Sequence, residues 1–476
     1  MSDPVRDTAT SVAFDAASLA QAVSGKVVRE GRRAIRGGAV DSRRVEPGNA
    51  FFALPGERTD GHRFLVDAAQ RGAAALVVTA DVPDEEATRL RDSGGPSIIA
   101  VGDATVALQQ AAAEWRNRFE PLVVGVTGSL AKTSTKEQVA EVLSERWNVL
   151  RNTANENNEI GLPLTLLRLG PEHDVAVLEM GMYQRTDIAL LAALARPKIG
   201  VVTAVRATHL SRAGSIDEIE RGKRELVEAL PSGGSAILNA DDPRVARMAI
   251  HVAENVRVIT YGFDVGADVR AEHVTSRGFD GMLFELRAAG DAVEVTTPAL
   301  GRHSVHNALA AAAVGIVAGL DLETIARGLA RVWSAPHRTT LIDMGPIKVL
   351  DDSYNASPDS MIAALDLLAS LPGRHVAILG EMLELGGASE AEHRRVGEHA
   401  GQVVDLLVVP DGDYAYGARR GRAAIAFAGR DDIMEVPEEA GLRTGDVVLL
   451  KGSRGARMDE LLPVLERLAK QMERFG

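Results

Sequence analysis

The sequence predicts an α/β protein of three domains, the second and third each built on a largely parallel sheet. Three observations carry this prediction. The chain has 476 residues, and about 100–200 residues per domain gives two to four domains. Short apolar runs alternate with helix-period stretches along the chain, as crossover helices between parallel strands require. A Gly-rich turn after Val126 and the segment Ser334-Ala335-Pro336 break the chain into blocks of 1–120, 121–334 and 335–476.

In the first block the strand-like runs are Phe51–Leu54, Ala75–Val78 and Ile98–Val101. In the second they are Leu122–Val126, Val175–Leu178, Ile199–Val205 and Ala236–Leu238, expected to form a parallel sheet. In the third they are Ile347–Leu350, Val376–Leu379, Leu406–Val409 and Val447–Leu450, which read as a doubly wound, Rossmann-like sheet. No internal repeat or low-complexity segment interrupts the pattern.

Composition excludes several function classes. The chain has no cysteine, so a disulfide scaffold, a thiolate metal site and a cysteine nucleophile are ruled out. That suits a cytoplasmic protein. Asp3, Asp7 and Asp15 stand where a signal peptide would be cationic and then apolar. The longest apolar run, Ala308 to Leu320, falls short of the roughly 20 residues that span a bilayer, so no membrane insertion is expected. Net charge is −13 with no basic cluster, which argues against nucleic acid. Polyanions must then be bound locally, by backbone donors, metals and a few placed cations.

In open α/β sheets ligands bind beyond the carboxyl ends of the strands. The residues that follow the apolar runs here are polar: Thr127-Gly128-Ser129, Glu179, Thr208-His209, Asp351-Asp352, Gly380-Glu381 and Lys451-Gly452-Ser453. The stretch Leu122 to Thr135 reads as strand, tight loop, then helix. Backbone N–H groups at such a helix start form an anion site. In Thr127-Gly128-Ser129-Leu130-Ala131-Lys132-Thr133-Ser134 the Lys132 amine would reach the β/γ-phosphates and the Thr133 hydroxyl a Mg²⁺ ion. The spacing departs from the standard phosphate-loop pattern, and Ala131 stands where a glycine is usual. An ordinary strand–helix turn with an exposed lysine is the competing reading.

Residues Ile216 to Leu230 carry a helical pattern. At about 100° per residue, Ile216, Ile219, Leu226, Val227 and Leu230 share a stripe. Lys223 falls in the middle of it. A core-facing lysine must snorkel, pair, lose its proton or be modified. In the functional reading, CO₂ adds to the amine and the carbamate becomes an anionic metal ligand. Glu179 and His209 end neighbouring apolar runs and are of metal-ligating type. Oxygen donors suit Mg²⁺, while a histidine beside them leaves the metal open.

At this point the residues resemble a known family. The phosphate loop, Asn155-Glu156-Asn157-Asn158, Glu179-Met180-Gly181, His209-Leu210, Lys223-Arg224-Glu225, Asp351-Asp352-Ser353-Tyr354-Asn355, Gly380-Glu381-Met382-Leu383-Glu384 and Lys451-Gly452-Ser453-Arg454 are similar, in order, to segments of the Mur ligase family. They fit its MurF-type branch best. Asp41-Ser42-Arg43 with Pro47-Gly48 and Gly56 resembles the N-terminal UDP-binding domain of that family. The resemblance covers nearly the whole chain and implies an N-terminal UDP-substrate-binding domain, a central ATPase-like domain and a Rossmann-like third domain.

What the resemblance implies for chemistry follows. The substrates are ATP, UDP-MurNAc-tripeptide and D-alanyl-D-alanine, joined through an acyl phosphate as part of peptidoglycan precursor synthesis, in a monomeric enzyme. Lys132 and the loop hold the β/γ-phosphates. Thr133 and Glu179 hold one Mg²⁺, and His209 with carbamylated Lys223 holds a second. Asn307, in Gly301-Arg302-His303-Ser304-Val305-His306-Asn307, contacts adenine, with His303 and His306 read either there or as helix-start residues. Arg338 and Asp352 reach phosphate and ribose. Ser42 and Arg43 contact UDP, and Asn155, Asn158, Asn355, Glu381 and Ser453 contact the substrates to be joined. Two departures stand out. A methyl at Ala131 is expected to require a negative φ, and the same holds for Ala154. A folylpolyglutamate-type ligase, a MurE-type ligase and a non-catalytic nucleotide-binding paralogue remain as rivals. The first would not need the N-terminal block, and the Asp-Asn-Pro-Arg motif of the second is absent.

Overall fold

The computed structural model describes residues 12–56, 59–92, 95–153, 155–206, 214–332, 335–410, 412–427 and 441–475. The chain forms two compact units. One holds Met1–Gly125, Trp147–Gly181 and Asp187–Pro197, the other Val126–Arg146, Met182–Thr186 and Lys198–Gly476. Among the described residues no helix is long and apolar enough to cross a membrane.

The first unit carries a five-stranded sheet in the order β1-β5-β4-β3-β2. Its strands are β1 (Lys26–Arg29), β2 (Gly38–Ala39), β3 (Ala50–Phe52), β4 (Ala75–Val78) and β5 (Ser97–Ala100). All pairs are parallel except β1 with β5. The three apolar runs read from sequence are its interior strands. The short edge strands β1 and β2 lack such runs and went unread. This unit also holds the parallel pair β7 (Val149–Arg151) and β8 (Val175–Glu179). Asp103 caps the helix Ala104–Arg116 by accepting from Thr105 N and Val106 N, so that helix starts where the chain leaves β5. Strand β6 (Leu122–Thr127) leads from this unit into the other.

In the second unit the strands β9 (Ile199–Val202), β10 (Ser235–Asn239), β11 (Arg257–Gly262), β12 (Val269–Ser276), β13 (Met282–Ala288) and β14 (Asp291–Thr297) lie side by side in chain order. Pairing is parallel from β9 to β12 and antiparallel from β12 to β14. The antiparallel strands β13 and β14 extend the expected parallel sheet beyond the runs named from the sequence. Strand β13 buries every second residue, Met282, Phe284, Leu286 and Ala288. Such one-sided strands show no continuous apolar run, which is the signal the sequence reading used.

The last part of this unit is a six-stranded sheet in the order β15-β16-β20-β17-β18-β19. Its strands are β15 (Thr340–Asp343), β16 (Lys348–Asp352), β17 (Arg374–Leu379), β18 (Leu406–Val409), β19 (Ala424–Phe427) and β20 (Asp446–Lys451). Only β15 runs antiparallel. Consecutive residues alternate between two cores. Leu350, Ala377, Leu379, Leu407 and Leu449 face one, while Val349, Val376, Ile378, Val448 and Leu450 face the other. Both faces are thus covered, as a doubly wound sheet demands. Central strand β20 lies between β16 and β17, so the loops that follow these three strands meet at one edge.

That edge is fixed by buried polar contacts. The Tyr414 hydroxyl donates to Gly380 O at 3.0 Å. Met382 N donates to His393 Nε2 at 3.0 Å, while His393 Nδ1 faces Ser389 O at 2.7 Å, so the proton sits on Nδ1. Burial, with the Glu381 carboxylate adding to it, pushes the Tyr414 phenol above its usual range, so it remains a donor. Replacing Tyr414 by Phe should lower stability by about 1–2 kcal/mol, because it leaves Gly380 O unpaired. A chemical-denaturation midpoint within error of wild type would show that this bond does not hold the loop.

Candidate active site

The phosphate loop is built on steric necessity. Strand β6 ends at Thr127, and Gly128 takes φ +153. A Cβ on Gly128 would fall 1.8 Å from Thr203 Oγ1, so no side chain fits. Thr203 Oγ1 donates to Leu130 O at 2.6 Å, and Ser129 N donates to Ala204 O at 2.7 Å. Arg206 N donates to Ser129 Oγ at 2.9 Å, which itself faces Arg206 O at 3.1 Å. These bonds clamp the loop against the end of β9. The helix Lys132–Leu143 then begins, its first-turn N–H groups directed out of the helix start. The Lys132 amine folds back on the loop, 2.9 Å from Gly128 O and 3.4 Å from Ser129 O.

Ala131 corrects an expectation. It has φ +64 and ψ 4, the left-handed conformation, and not the negative φ that a methyl prefers. The loop accepts this strain rather than change its path, because Gly128, Thr203 and the helix start fix both ends. Ala154 lies outside the described residues.

The helix Ile216–Glu228 is capped by Ser215, whose hydroxyl accepts from Glu218 N at 3.2 Å. Its buried stripe includes Ile219, Leu226 and Val227, and Lys223 lies among them at 4% exposure. Among the described residues the Lys223 amine makes no hydrogen bond or ion pair. Burial holds its pKa well below the usual lysine range, and the nearby Lys132 charge lowers it further. Two lysine amines thus approach one another with one of them dry. His209 lies outside the described residues.

In the first unit Glu179 ends β8 and is buried. Asn157 Nδ2 donates to Glu179 Oε1 at 2.7 Å, and Asn152 pairs with the Glu179 backbone through both its amide atoms, at 2.9 and 3.0 Å. The Asn-rich segment therefore orients Glu179, a part that sequence reading did not assign to Asn152 or Asn157. Asn158 Oδ1 accepts from Gly161 N at 2.8 Å at the start of the helix Gly161–Leu166, while Asn155 is exposed. Ser42 is buried in a short turn capped by Asp41, and the exposed Arg43 pairs with Asp41 at 2.7 Å.

Asn307 lies on the helix Arg302–Ala318, buried, with Oδ1 accepting from Thr135 Oγ1 at 3.2 Å. Beside it a cavity of about 480 Å³ is lined by Asp241, Phe263, Arg302, His303, His306 and Leu367 among others. The Arg302 guanidinium stacks 3.9 Å over the Phe263 ring, and His306 meets that ring edge-on at 4.4 Å. His306 Nε2 lies 2.7 Å from Asp241. Burial lowers the pKa of both His303 and His306, against the pull of Asp352 and Asp241 respectively. Both histidines lie in the first turns of the helix Arg302–Ala318 and line the cavity.

Asp241 and Asp242 were missed in the sequence. Asp242 is buried and accepts from Val205 N at 2.9 Å, from the Arg206 guanidinium, and from Arg244 N at 2.9 Å. It thereby joins β9 and the phosphate loop to β10. The strand-end rule would have found it, since Asn239-Ala240-Asp241-Asp242 follows the run Ala236–Leu238.

Arg338 stacks 3.9 Å over Tyr354. Asp352 accepts from Thr339 N at 3.0 Å and pairs with the buried Lys451 amine, which also reaches Asn355 O at 3.1 Å. Asn355 and Glu381 are exposed. Ser453 is buried and accepts from Leu383 N at 2.8 Å.

A phosphate-loop domain joined to a doubly wound third domain is the architecture of an ATP-dependent ligase core, and comparison with known proteins makes the class specific. "Mur ligase middle domain" matches residues 126–315, "Mur ligase, glutamate ligase domain" residues 337–454, and "Mur ligase family, catalytic domain" residues 34–116. The chain belongs to the Mur ligase family. The UDP-N-acetylmuramoyl-tripeptide–D-alanyl-D-alanine ligase of Escherichia coli (strain K12) is 37% identical to it over 437 residues, covering 90% of this chain and 92% of that protein. A crystal structure of MurF from Acinetobacter baumannii superposes with TM-score 0.85 at 29% identity, over 96% of this chain and 99% of that one. MurF ligase from Thermotoga maritima in complex with ADP gives TM-score 0.79 at 27% identity, over 92% and 98%.

Ala131 offers a direct test of the loop. A left-handed L-residue costs roughly 1–2 kcal/mol, and glycine's greater unfolded freedom offsets roughly 0.4–1 kcal/mol of any relief. Ala131→Gly should therefore stabilise the protein by up to about 1 kcal/mol. A lowered denaturation midpoint would show that the loop does not hold the strained conformation in solution.

Proposed function

We propose that this chain is the ATP-dependent ligase that joins D-alanyl-D-alanine to UDP-MurNAc-tripeptide, giving UDP-MurNAc-pentapeptide, ADP and phosphate. The reading is supported by the E. coli relative, which carries that activity in its name across nine-tenths of both chains. The observation that carries the chemistry is the dry Lys223 amine beside Lys132. We read it as a monomeric cytoplasmic enzyme, in keeping with its use of ATP and nucleotide-linked substrates.

The substrate carboxylate attacks the γ-phosphorus and ADP leaves. The amine of the dipeptide then attacks the acyl carbon, phosphate departs and one proton is lost. Lys132 and the N–H groups of the helix start hold the β/γ-phosphates. Asn307 contacts the base, with the Phe263 and His306 cavity beside it. Arg338 and Asp352 serve phosphate and ribose. Ser42 and Arg43 serve UDP, and Asn155, Asn158, Asn355, Glu381 and Ser453 serve the two substrates to be joined.

The donor chemistry fits Mg²⁺. Thr133 and Glu179 offer hard oxygens, and the family resemblance adds His209. The Lys223 nitrogen is buried, and among the described residues it has no acid partner, which favours the neutral amine that reacts with CO₂. The carbamate supplies an anion where a bare ammonium is least stable. Two bound Mg²⁺ ions would neutralise the charge on the γ-phosphate and the carboxylate. The third domain excludes water from the acyl phosphate.

Release of ADP should require both UDP-MurNAc-tripeptide and D-alanyl-D-alanine. ADP release independent of either would overturn the ligase reading. Lys223→Ala should cut turnover at least about 100-fold, the scale of losing a metal's ligand support. Acetate or propionate should restore part of it by filling the vacated ligand position. Labelled bicarbonate should give a carbamate carbon-13 signal in wild type and none in the variant. Its absence from both would remove the carbamate from the mechanism.

A further inference from the structure

D-Alanyl-D-alanine enters as a zwitterion with a free carboxylate at its far end. That carboxylate takes no part in the chemistry, yet it must be desolvated as the site closes, so a cation has to meet it. The loops after β16, β20 and β17 meet at the edge of the third domain, and among the described residues Lys451, Arg338 and Arg454 are cations close to it. Lys451 is buried and already engaged by Asp352 and Asn355 O. Arg338 is stacked on Tyr354, before β15. Arg454 is different. It follows Ser453 directly, its side chain is 63% exposed, and its guanidinium lies 6.0 Å from the Tyr354 ring. Its ionic contact is the carboxylate of Asp459 at 3.3 Å, a surface pair of the weak kind that a ligand carboxylate displaces.

The surroundings of Arg454 match the rest of the dipeptide. Ser453 N donates to Glu381 O at 2.9 Å, and Leu383 N donates to Ser453 Oγ at 2.8 Å. These two bonds lace the loop of β20 to the loop of β17. They set the exposed Glu381 and the exposed Leu383 beside Arg454. A Cβ on Gly455 would fall 2.7 Å from Leu383 Cδ1, so Leu383 covers the residue next to Arg454. One loop junction thus brings together residues of three kinds, the acidic Glu381, the apolar Leu383 and the cationic Arg454. A zwitterion with two methyl side chains calls for those three kinds of group.

We infer that Arg454 is a specificity-determining residue that binds the terminal carboxylate of the dipeptide acceptor, with Glu381 at its amino end. The inference rests on the ligase reading above and adds a recognition element to it. The guanidinium fork pairs two carboxylate oxygens, which a C-terminal amide cannot reproduce.

The test compares D-alanyl-D-alanine with D-alanyl-D-alaninamide in the full enzyme with ATP and UDP-MurNAc-tripeptide. Wild type should prefer the free acid by about 100-fold or more in kcat/KM, as a site built for a charged pair rejects a ligand lacking it. Arg454→Ala should raise KM for the free acid by about 100-fold with kcat changed little, and should leave the amide substrate unaffected. Arg454→Lys should restore part of the preference, since charge returns without the fork. Equal losses with both substrates would mean that Arg454 only supports the loop, and the inference would fall. So would loss of the preference in Arg338→Ala but not in Arg454→Ala. If wild type forms no product from the dipeptide, the ligase reading itself fails and takes this one with it.

Discussion

Lys223 sets the terms for the rest of the central site. Its amine is sealed into the helix face among Ile219, Leu226 and Val227, and a second lysine amine stands close by. Neither burial nor a like charge favours an ammonium there. Both effects favour the neutral amine. The helix can hold it because its other stripe residues supply ordinary apolar burial, each worth about 1.5–3 kcal/mol when complete. That packing offsets one badly placed amine. The same logic explains why the Lys132 amine folds onto Gly128 O and Ser129 O. A cation directed at the loop carbonyls is already close to where phosphate oxygens would replace them.

Strain in the phosphate loop follows from a second constraint. Thr203 occupies the space a Cβ on Gly128 would need, and its hydroxyl ties Leu130 O. With that end fixed and the helix starting at Lys132, Ala131 is left in the left-handed region. The Asp242 carboxylate adds rigidity, since it collects Val205 N and the Arg206 guanidinium in one place. The loop is therefore held in shape by groups at the ends of β9 and β10. Preorganisation of this kind is what electrostatic stabilisation of a phosphoryl group requires.

Much of this was legible in the sequence, for identifiable reasons. Strands buried on both faces, such as β17 and β20, read as continuous apolar runs and were found. One-sided strands such as β13, and edge strands such as β15 and β19, were not, because half their residues face away from the core. The Lys223 stripe was visible because a charge inside an apolar helical period stands out. Asn157 was not singled out from its asparagine neighbours, since which amide orients Glu179 is decided by a single 2.7 Å contact. The sign of φ at Ala131 was misread for a related reason. Local preference favours a negative angle, and only the clamp at Thr203, far along the chain, overrides it.

The third domain shows the same division between buried frame and exposed groups. Its sheet is covered on both sides, so its chemistry is confined to the strand ends. There the polar groups divide by burial. Lys451, Asp352 and Ser453 spend their hydrogen bonds on loop backbone and on one another, and they fix the geometry. Glu381, Asn355 and Arg454 remain exposed and give the edge its charge pattern. A buried ion pair such as Lys451 with Asp352 adds little net stability once desolvation is counted. Its retention makes sense as a spacer, holding the loops after β16 and β20 at a fixed separation. The buried groups thus keep the frame that presents the exposed ones at the strand ends.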